Sequence, residues 1–263
     1  MDKNHLKEDA NVTIVTTFND DGYSLYGKNM LKSFDKKMPK INFLAYYEGS
    51  NPDLLKETSR IKYIDLEKMC PDLVAFKKRW KDVPAANGEF RGVKSFKYHA
   101  VRFSHKMFCI YHAATTVNSK YLIWCDADTE AKKKFDKKTL TDMLPVGKYC
   151  AYLGRPKVYS ECGFMIFDTT HPQHMSFMNQ YIEILNSGKF LEEKEWHDSY
   201  LFDVIRKRME KEYKIFHNLT PNTPKSNFNI ALKPYITHYK GSRKLTRGRK
   251  SNENYNLVSG NKK

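Results

Sequence analysis

Long apolar runs and paired cysteines are both missing from this 263-residue chain. No stretch approaches the roughly 18 consecutive apolar residues that a membrane-spanning helix needs. The first eleven residues are polar and mixed in charge, which is unlike a secretory signal. The five cysteines are scattered and show no CxxC spacing, so we expect reduced, buried thiols and no zinc site. Together these features predict a cytoplasmic protein.

Internal repeats and Pro- or Gly-rich linkers are also absent from the chain. Hydrophobic residues make up 40% of it and aromatic residues 14%, which argues against a disordered protein. A chain of this length suits one large α/β domain or two small ones. Since nothing in the sequence divides it, we expect a single domain.

Acidic residues are few relative to basic ones. The chain has 46 Lys and Arg residues and 30 Asp and Glu residues, which gives a net charge of +16. Such an excess indicates an anionic partner: nucleic acid, an anionic membrane surface or a phosphate-bearing substrate. Eight of these basic residues lie between Lys240 and Lys263, against one acid, Glu253. A solvated tail that only aids solubility is the alternative interpretation for the distal half of this segment.

Apolar and β-branched runs in the first half alternate with amphipathic stretches. This alternation predicts strands at 12–18, 41–47 and 61–66, with helices at 23–34 and 53–60 between them. Such an order is typical of a parallel sheet with crossover helices. The clearest helix has apolar residues at spacings of three and four: Phe96, Ala100, Phe103, Met107, Ile110 and Ala114. Further strands are predicted at 121–125, 149–153, 162–167, 213–216 and 235–239, and helices at 173–186 and 198–210.

Two carboxylates, Asp126 and Asp128, directly follow the apolar run 121–125. A strand without polar positions is buried on both faces and is central in its sheet. Ligands bind at the carboxyl ends of strands in open parallel sheets. Two close carboxylates repel each other, and a divalent cation with oxygen ligands, Mg²⁺ or Mn²⁺, relieves that repulsion. A polar turn after a strand is the plainer alternative.

The segment Leu122-Ile123-Trp124-Cys125-Asp126-Ala127-Asp128-Thr129 resembles the Asp-x-Asp signature of GT-A-fold glycosyltransferases. Further segments resemble that family in the expected order: Thr16-Thr17-Phe18, residues 98–103, residues 161–167, His197-Asp198-Ser199 and residues 238–244. The last of these is similar to the His-x-x-Gly-x-x-Lys segment of the glycogenin and bacterial galactosyltransferase group. The resemblance runs from about residue 12 to 245.

The resemblance implies a mostly parallel central sheet flanked by helices and a metal-dependent transfer of sugar from a nucleotide diphosphate, with UDP as the implied nucleotide. It implies a single domain over 1–245, with a nucleotide-sugar half at about 12–130, an acceptor half at about 131–245 and a basic tail at 246–263. The implied metal ligands for Mn²⁺ or Mg²⁺ are Asp126, Asp128 and His238. The implied donor contacts are Thr16, Thr17, Phe18, Arg102, Asp126, Gly163, Gly241 and Lys244.

Two further carboxylates are candidate catalytic groups. Asp198 begins a predicted helix, so it is either an N-cap or a group near the donor sugar and the acceptor hydroxyl. Glu161 precedes the strand at 162–167 and takes either the same catalytic role or the plain role of ending a loop. For His197 a structural or acceptor-facing role is favoured over that of a base.

Two rival functions follow from the same residues. A sugar-nucleotide nucleotidyltransferase would carry a Gly-rich loop after its first strand, whereas Asn19-Asp20-Asp21-Gly22 is acidic and has one glycine. A non-enzymatic nucleic-acid-binding protein suits the charge but has no need of a carboxylate pair at a strand end. If the charge serves an enzyme, an anionic acceptor follows, such as modified DNA, a teichoic-type polymer, another cell-surface glycan or a lipid head group.

Overall fold

Apolar and β-branched segments form the strands of a large central sheet in the computed structural model, which describes residues 11–49, 57–221 and 227–241. The strands of the described part are β1 Val12–Asn19, β2 Asn42–Glu48, β3 Ile61–Asp65, β4 Glu89–Phe90, β5 Val93–Lys94, β6 Tyr121–Cys125, β7 Thr129–Ala131, β8 Cys150–Leu153, β9 Glu161–Asp168, β10 Phe216–Asn218 and β11 Ile236–His238. Its α-helices are α1 Asp20–Gly22, α2 Lys28–Lys37, α3 Leu66–Met69, α4 Pro71–Trp80, α5 Ala100–Thr116, α6 Lys137–Thr141, α7 His174–Asn186, α8 Asp198–Tyr213 and α9 Asn227–Leu232.

The central sheet has seven strands in the order β10-β8-β9-β6-β1-β2-β3. Strand β9 is antiparallel to both of its neighbours, β6 and β8, while every other pair in this sheet is parallel. Two small antiparallel pairs, β4 with β5 and β7 with β11, lie outside it. This is the single α/β domain with a mostly parallel, helix-flanked sheet that the sequence predicts.

Both faces of the central sheet are covered by apolar side chains, as expected for a parallel sheet. One core cluster contains side chains of α4, α5, α7 and α8, including Met107, Phe177 and Phe202. The other contains side chains of α2 and α9, including Phe34 and Phe228. Because strands β1, β6 and β9 contribute to both clusters, their ends are held rigidly between two packed layers.

The direction of the strands brings the polar ends of β1, β6 and β9 to one edge of the sheet. Parallel strands β1 and β6 end there at Asn19 and Cys125, and antiparallel β9 begins there at Glu161. Strand β7 follows directly after Asp128 and pairs with β11, with Thr129 opposite His238. Residues far apart in the sequence therefore meet at this edge.

Several predicted boundaries differ from those observed. Helical structure after β1 begins at Asp20, because the Asn19 side chain caps it by accepting a hydrogen bond from the Gly22 N–H, and a π-helical turn, Tyr23–Gly27, joins α1 to α2. The long helix predicted from Phe96 begins at Ala100, after a short 3₁₀ turn, and the Phe96 side chain is half exposed.

Some helices and strands of the structure were not predicted from the sequence, and one predicted strand lies at a different position. Helices α3 and α4 and the short strand β7 were not predicted, and the predicted strand at 213–216 is instead β10 at Phe216–Asn218. Most of the helix predicted at 53–60 lies outside the described residues. All five cysteines are buried and free, as predicted. None of the helices in the described ranges combines the length and apolar composition needed to cross a bilayer.

Candidate functional site

Asp126, Asp128 and His238 form a compact cluster at the polar edge of the central sheet. One potential ligand atom from each lies within 4.8 Å of the other two. His238 Nε2 is 2.9 Å from Asp128 Oδ1 and 3.9 Å from Asp126 Oδ2. Asp128 and His238 are buried, and the Asp126 side chain is about 30% exposed. The cluster is thus accessible to solvent from the side of Asp126.

Backbone hydrogen bonds hold this cluster in place. The Asp126 N–H donates to the carbonyl of Gly163 at 2.9 Å, and the Tyr239 N–H donates to the carbonyl of Asp128 at 2.9 Å. The Thr129 hydroxyl donates to the carbonyl of Asp126 at 2.8 Å. The sequence forms this arrangement because the apolar strand β6 ends at Cys125 and a new strand begins at Thr129. The Asp-x-Asp pair is therefore fixed at both ends.

The two carboxylate oxygens of Asp126 have different surroundings. Oδ1 accepts hydrogen bonds from the Trp124 indole N–H at 2.7 Å and from the Lys106 amine at 3.0 Å. Oδ2 faces His238 and the hydrogen-bearing Cα of Gly163. The first oxygen is held by the protein, so the second is directed toward the other potential ligands.

Lys106 is a buried cation between two carboxylates. Its amine lies 3.0 Å from Asp126 Oδ1 and 2.8 Å from Asp198 Oδ2, and it also donates to the carbonyl of Cys162. Burial alone would lower the pKa of Lys106, but the carboxylates of Asp126 and Asp198 outweigh it and raise that pKa above its usual value. Lys106 therefore remains charged and links helices α5 and α8 to the end of β6.

Gly163 occupies a position where a side chain would obstruct the cluster. A Cβ atom there would lie 3.0 Å from His238 Cε1, 3.1 Å from Asp126 Oδ2 and 3.1 Å from Glu161 Oε1. Such distances are shorter than ordinary van der Waals contacts between these atoms. The glycine therefore lets three functional side chains approach the same point. A glycine at position 163 thus has a steric reason in the structure of the cluster.

Glu161 lies at the start of β9 beside the cluster and is paired with Lys240. Burial would raise the pKa of Glu161, but the charge and hydrogen bond of Lys240, together with interactions with His238 and Lys106, outweigh it and lower that pKa below its usual value. The carboxylate is therefore ionised at neutral pH. Lys240 follows β11, so this contact also attaches the segment after His238 to the central sheet.

Asp198 is not the N-cap that the sequence offered as one of its two roles. The N-cap of α8 is His197, whose Nδ1 accepts a hydrogen bond from the Tyr200 N–H at 3.3 Å. Asp198 is the first residue of the helix, and its carboxylate contacts Lys106. His197 is buried, and its Nε2 is 3.0 Å from Glu195. Asp198 thus belongs to the polar cluster, while His197 caps the helix and contacts Glu195.

The remaining candidates differ in where the fold places them. Thr16 is fully buried, and its hydroxyl has no hydrogen-bond partner among the described residues. Thr17 is half-buried, and Phe18 is buried against the rings of Tyr23 and Tyr47. Phe18 is therefore a core residue.

The charged residues and the glycine that were predicted to contact the donor also differ in position. Arg102 is exposed, and its guanidinium lies 5.9 Å from the ring centre of its neighbour Phe103. The cation that the helix contributes to the cluster is Lys106, one turn further on, so the structure does not bring Arg102 together with the aspartates. Gly241 has a φ of +59°, which favours glycine. Lys244 lies outside the described residues.

Lys106 was not among the predicted site residues, although the sequence carries a signal for it. In the sequence it directly precedes the apolar run Met107-Phe108-Cys109-Ile110, and all five residues are buried on α5. A lysine on the buried face of a helix requires an anionic partner. The nearest pair of acids that also follows a buried strand is Asp126 and Asp128, so the pairing could have been inferred from the pattern.

The charge balance of the cluster suits a divalent cation. Among the described residues, four carboxylates (Asp126, Asp128, Glu161 and Asp198) lie together with two lysines (Lys106 and Lys240) and His238. Carboxylate oxygens with one imidazole nitrogen form a donor set suited to Mn²⁺. The second ring nitrogen of His238, Nδ1, is buried and has no hydrogen-bond partner among the described residues. Nε2 is the ring nitrogen that faces both aspartates, so it is the one positioned to join them as a metal ligand.

Comparison with known proteins shows the fold. No family model and no curated protein sequence matches this chain. Among solved structures, a WbbM bifunctional glycosyltransferase in its apo form matches with a TM-score of 0.51 at 15% identity, over 89% of this chain and 46% of that one. Mouse xyloside xylosyltransferase 1, also in its apo form, matches with a TM-score of 0.48 at 11% identity, over 79% of this chain and 84% of that one. The match to WbbM supports the GT-A-type fold, and this chain spans less than half of the WbbM length.

Proposed function

We propose that this protein is a metal-dependent glycosyltransferase that transfers a sugar from a nucleotide diphosphate to a hydroxyl acceptor. The observation that carries the proposal is the convergence of Asp126, Asp128 and His238 at the carboxyl edge of the sheet. In an open sheet of this kind, that edge is where nucleotide ligands bind. The GT-A-type fold is consistent with this chemistry but does not by itself assign it.

The proposed metal ligands are Asp128, the Oδ2 atom of Asp126 and the Nε2 atom of His238. A Mn²⁺ or Mg²⁺ ion there would act as a Lewis acid on the diphosphate leaving group. Lys106 and Trp124 hold the other oxygen of Asp126, so the carboxylate is oriented before any ligand arrives. We expect UDP to be the nucleotide, in line with the His-x-x-Gly-x-x-Lys resemblance. Lys244 would then contact the diphosphate.

The protein's own carboxylates would act on the sugar and the acceptor. Glu161 Oε1 and Asp126 Oδ2 each lie 3.1 Å from the point that a Cβ atom on Gly163 would occupy, so Glu161 lies next to the proposed metal ligands. Its ionised carboxylate is placed to stabilise positive charge that develops at the anomeric carbon. Asp198 is held by Lys106 at 2.8 Å, which makes a positioning role more suitable for it than that of a base.

The structure disfavours the rival nucleotidyltransferase function. The segment after β1 is a capped helix start at Asn19–Gly22, where such an enzyme would have a glycine-rich phosphate loop. The nucleic-acid-binding alternative depends mainly on the net charge. It offers no reason for a buried aspartate and histidine pair beside a second aspartate.

Release of UDP from a panel of UDP-sugars tests the proposal. We expect hydrolysis or transfer that requires added Mn²⁺ and is abolished by EDTA and by Asp128→Asn. Asp142→Asn is the matched control, because Asp142 is an exposed acid paired with Lys138. Metal-independent release, or equal loss in both variants, would argue against the assigned site. If no sugar nucleotide is turned over and no nucleotide binds, the proposal is wrong.

A further inference from the structure

A large cavity opens beside the proposed catalytic edge. Its volume is about 750 Å³, within the range of roughly 300–1,000 Å³ that is typical of small-molecule sites. It lies between the β8–β9 loop and helix α8, and Ser160 is one of its lining residues. Ser160 directly precedes Glu161 in the chain, so the loop that lines this cavity leads into the strand that carries the proposed catalytic carboxylate.

Positive charge dominates the lining of this cavity. Six basic residues line it, against two acids, Glu195 and Asp203. Both acids already have partners: Glu195 contacts Lys97 at 2.8 Å, and Asp203 contacts Arg206 at 2.9 Å. Four lining cations form no ion pair with any carboxylate in the described part of the chain: Arg155, Lys157, Lys194 and Lys207. An anionic ligand would compensate them.

The β8–β9 loop holds two of these cations in defined positions. The Arg155 Nε–H donates to the carbonyl of Tyr159 at 2.8 Å, and its guanidinium lies 4.8 Å from the centre of the Tyr159 ring. Lys157 has a φ of +67°, in the left-handed region that non-glycine residues seldom adopt. Backbone strain of this kind is found at ligand-binding sites. The strained residue of this loop is therefore one that carries a positive charge.

Three tyrosines, Tyr152, Tyr159 and Tyr200, also line the cavity. Tyr159 and Tyr200 are half-buried residues of the cavity wall. The Tyr159 ring is fixed against His197, with 4.3 Å between ring centres. An aromatic face of this kind packs against the apolar C–H face of a sugar ring through dispersion contacts. The wall thus offers both an aromatic platform and unpaired cations.

From these features we infer that the cavity binds a phosphate-bearing saccharide as the acceptor, an assignment that rests on the proposed glycosyltransferase function. A phosphate monoester carries a charge of about −1.5 to −2 at pH 7, which suits four unpaired cations better than a single carboxylate does. Both a free sugar phosphate and a phosphate-linked glycan have this chemistry.

Calorimetric titration of the full chain tests this inference with glucose, glucose 6-phosphate and the methyl phosphodiester of glucose 6-phosphate as probes. We expect glucose 6-phosphate to bind at least tenfold more tightly than glucose. The double variant Lys157→Gly/Lys207→Gln should weaken that binding by roughly tenfold, since two charge contacts are lost. Glycine at position 157 also relieves the positive φ, so its melting temperature should not fall. The relative affinities of monoester and diester distinguish a free sugar phosphate from a linked glycan.

Lys32→Gln/Lys36→Gln is the matched control, because both lysines are exposed on α2, across the sheet from α8. This variant should not change glucose 6-phosphate binding. Equal affinities for glucose and glucose 6-phosphate, or equal losses in the two lysine variants, would overturn the inference. A third outcome would replace the inference with nucleic-acid binding. In that outcome oligothymidylate binds the protein, its binding is weakened in the Lys157/Lys207 double variant, and the sugar phosphates do not bind. Loss of metal-dependent UDP binding in wild type contradicts the proposed function instead.

Discussion

Replacing Lys106 with methionine removes a buried positive charge while keeping most of the side-chain volume. The Lys106 side chain is about 10% exposed, and its two carboxylate partners, Asp198 and Asp126, are about 7% and 30% exposed. Breaking a buried ion pair by removing one partner costs about 3–5 kcal/mol. Because a domain has only about 5–15 kcal/mol of unfolding free energy, we expect Lys106→Met to fold but to be markedly less stable.

The structure also predicts which second change restores stability. Asp126 keeps the Trp124 indole as a hydrogen-bond donor and is in contact with solvent, whereas Asp198 would remain as a more deeply buried charge. In the Lys106→Met background, Asp198→Asn should therefore recover about half of the lost 3–5 kcal/mol, and Asp126→Asn should recover less. Urea unfolding followed by circular dichroism measures both differences.

A matched surface variant separates this effect from a general loss of lysine. Lys138→Met removes an ion pair with Asp142 in which both side chains are largely exposed, so no measurable change in unfolding free energy is expected. If Lys106→Met were as stable as Lys138→Met, the buried ion-pair account would be refuted. The same conclusion would follow if Asp126→Asn restored stability better than Asp198→Asn.

Three further predictions concern individual side chains. Gly163→Ala should weaken metal-dependent UDP binding by roughly 10- to 100-fold, because its Cβ would lie 3.0 Å from His238 Cε1; thermal unfolding should change far less. Burial would raise the pKa of Glu48, but His105 and Lys77 outweigh it and lower that pKa from 4.5 to about 2. This shift corresponds to about 3 kcal/mol of stability that is present above pH 4.5 and lost as pH falls toward 2. Glu48→Gln should remove that increment, so urea unfolding of wild type and variant should differ more at about pH 6 than at about pH 3. Glu161→Gln should abolish sugar transfer while UDP binding persists, as measured by product formation and calorimetry.

The aspartate pair could be predicted from the sequence because its signal is local. A strand with no polar positions, 121–125, ends abruptly at Asp126, and the rule for ligand sites in parallel sheets places that end at the binding edge. His238 was assigned through resemblance, and its contact with Asp128 at 2.9 Å is consistent with that assignment. A single sequence contains no information on such a pairing across 110 residues.

Other features depended on tertiary structure. The antiparallel direction of β9 brings Glu161 to the same edge as Asp126, and strand direction depends on the path of the connections rather than on local composition. Lys240 was counted from the sequence among the basic residues of 240–263 without a role of its own, and the structure pairs it with Glu161. The cavity beside Ser160 arises from a loop and a helix that are separated by about 40 residues, so no sequence pattern indicated it.

Calorimetric titration of UDP tests the central claim most directly, with and without Mn²⁺, in wild type, Asp128→Ala and the surface control Asp142→Ala. The account predicts binding that requires Mn²⁺, is lost in Asp128→Ala and is unchanged in Asp142→Ala. The carboxylates converge with His238, so the metal and the nucleotide should bind as one unit. UDP binding that is equally tight in EDTA, or that persists in Asp128→Ala, would contradict the assignment of this cluster as the metal site of a glycosyltransferase.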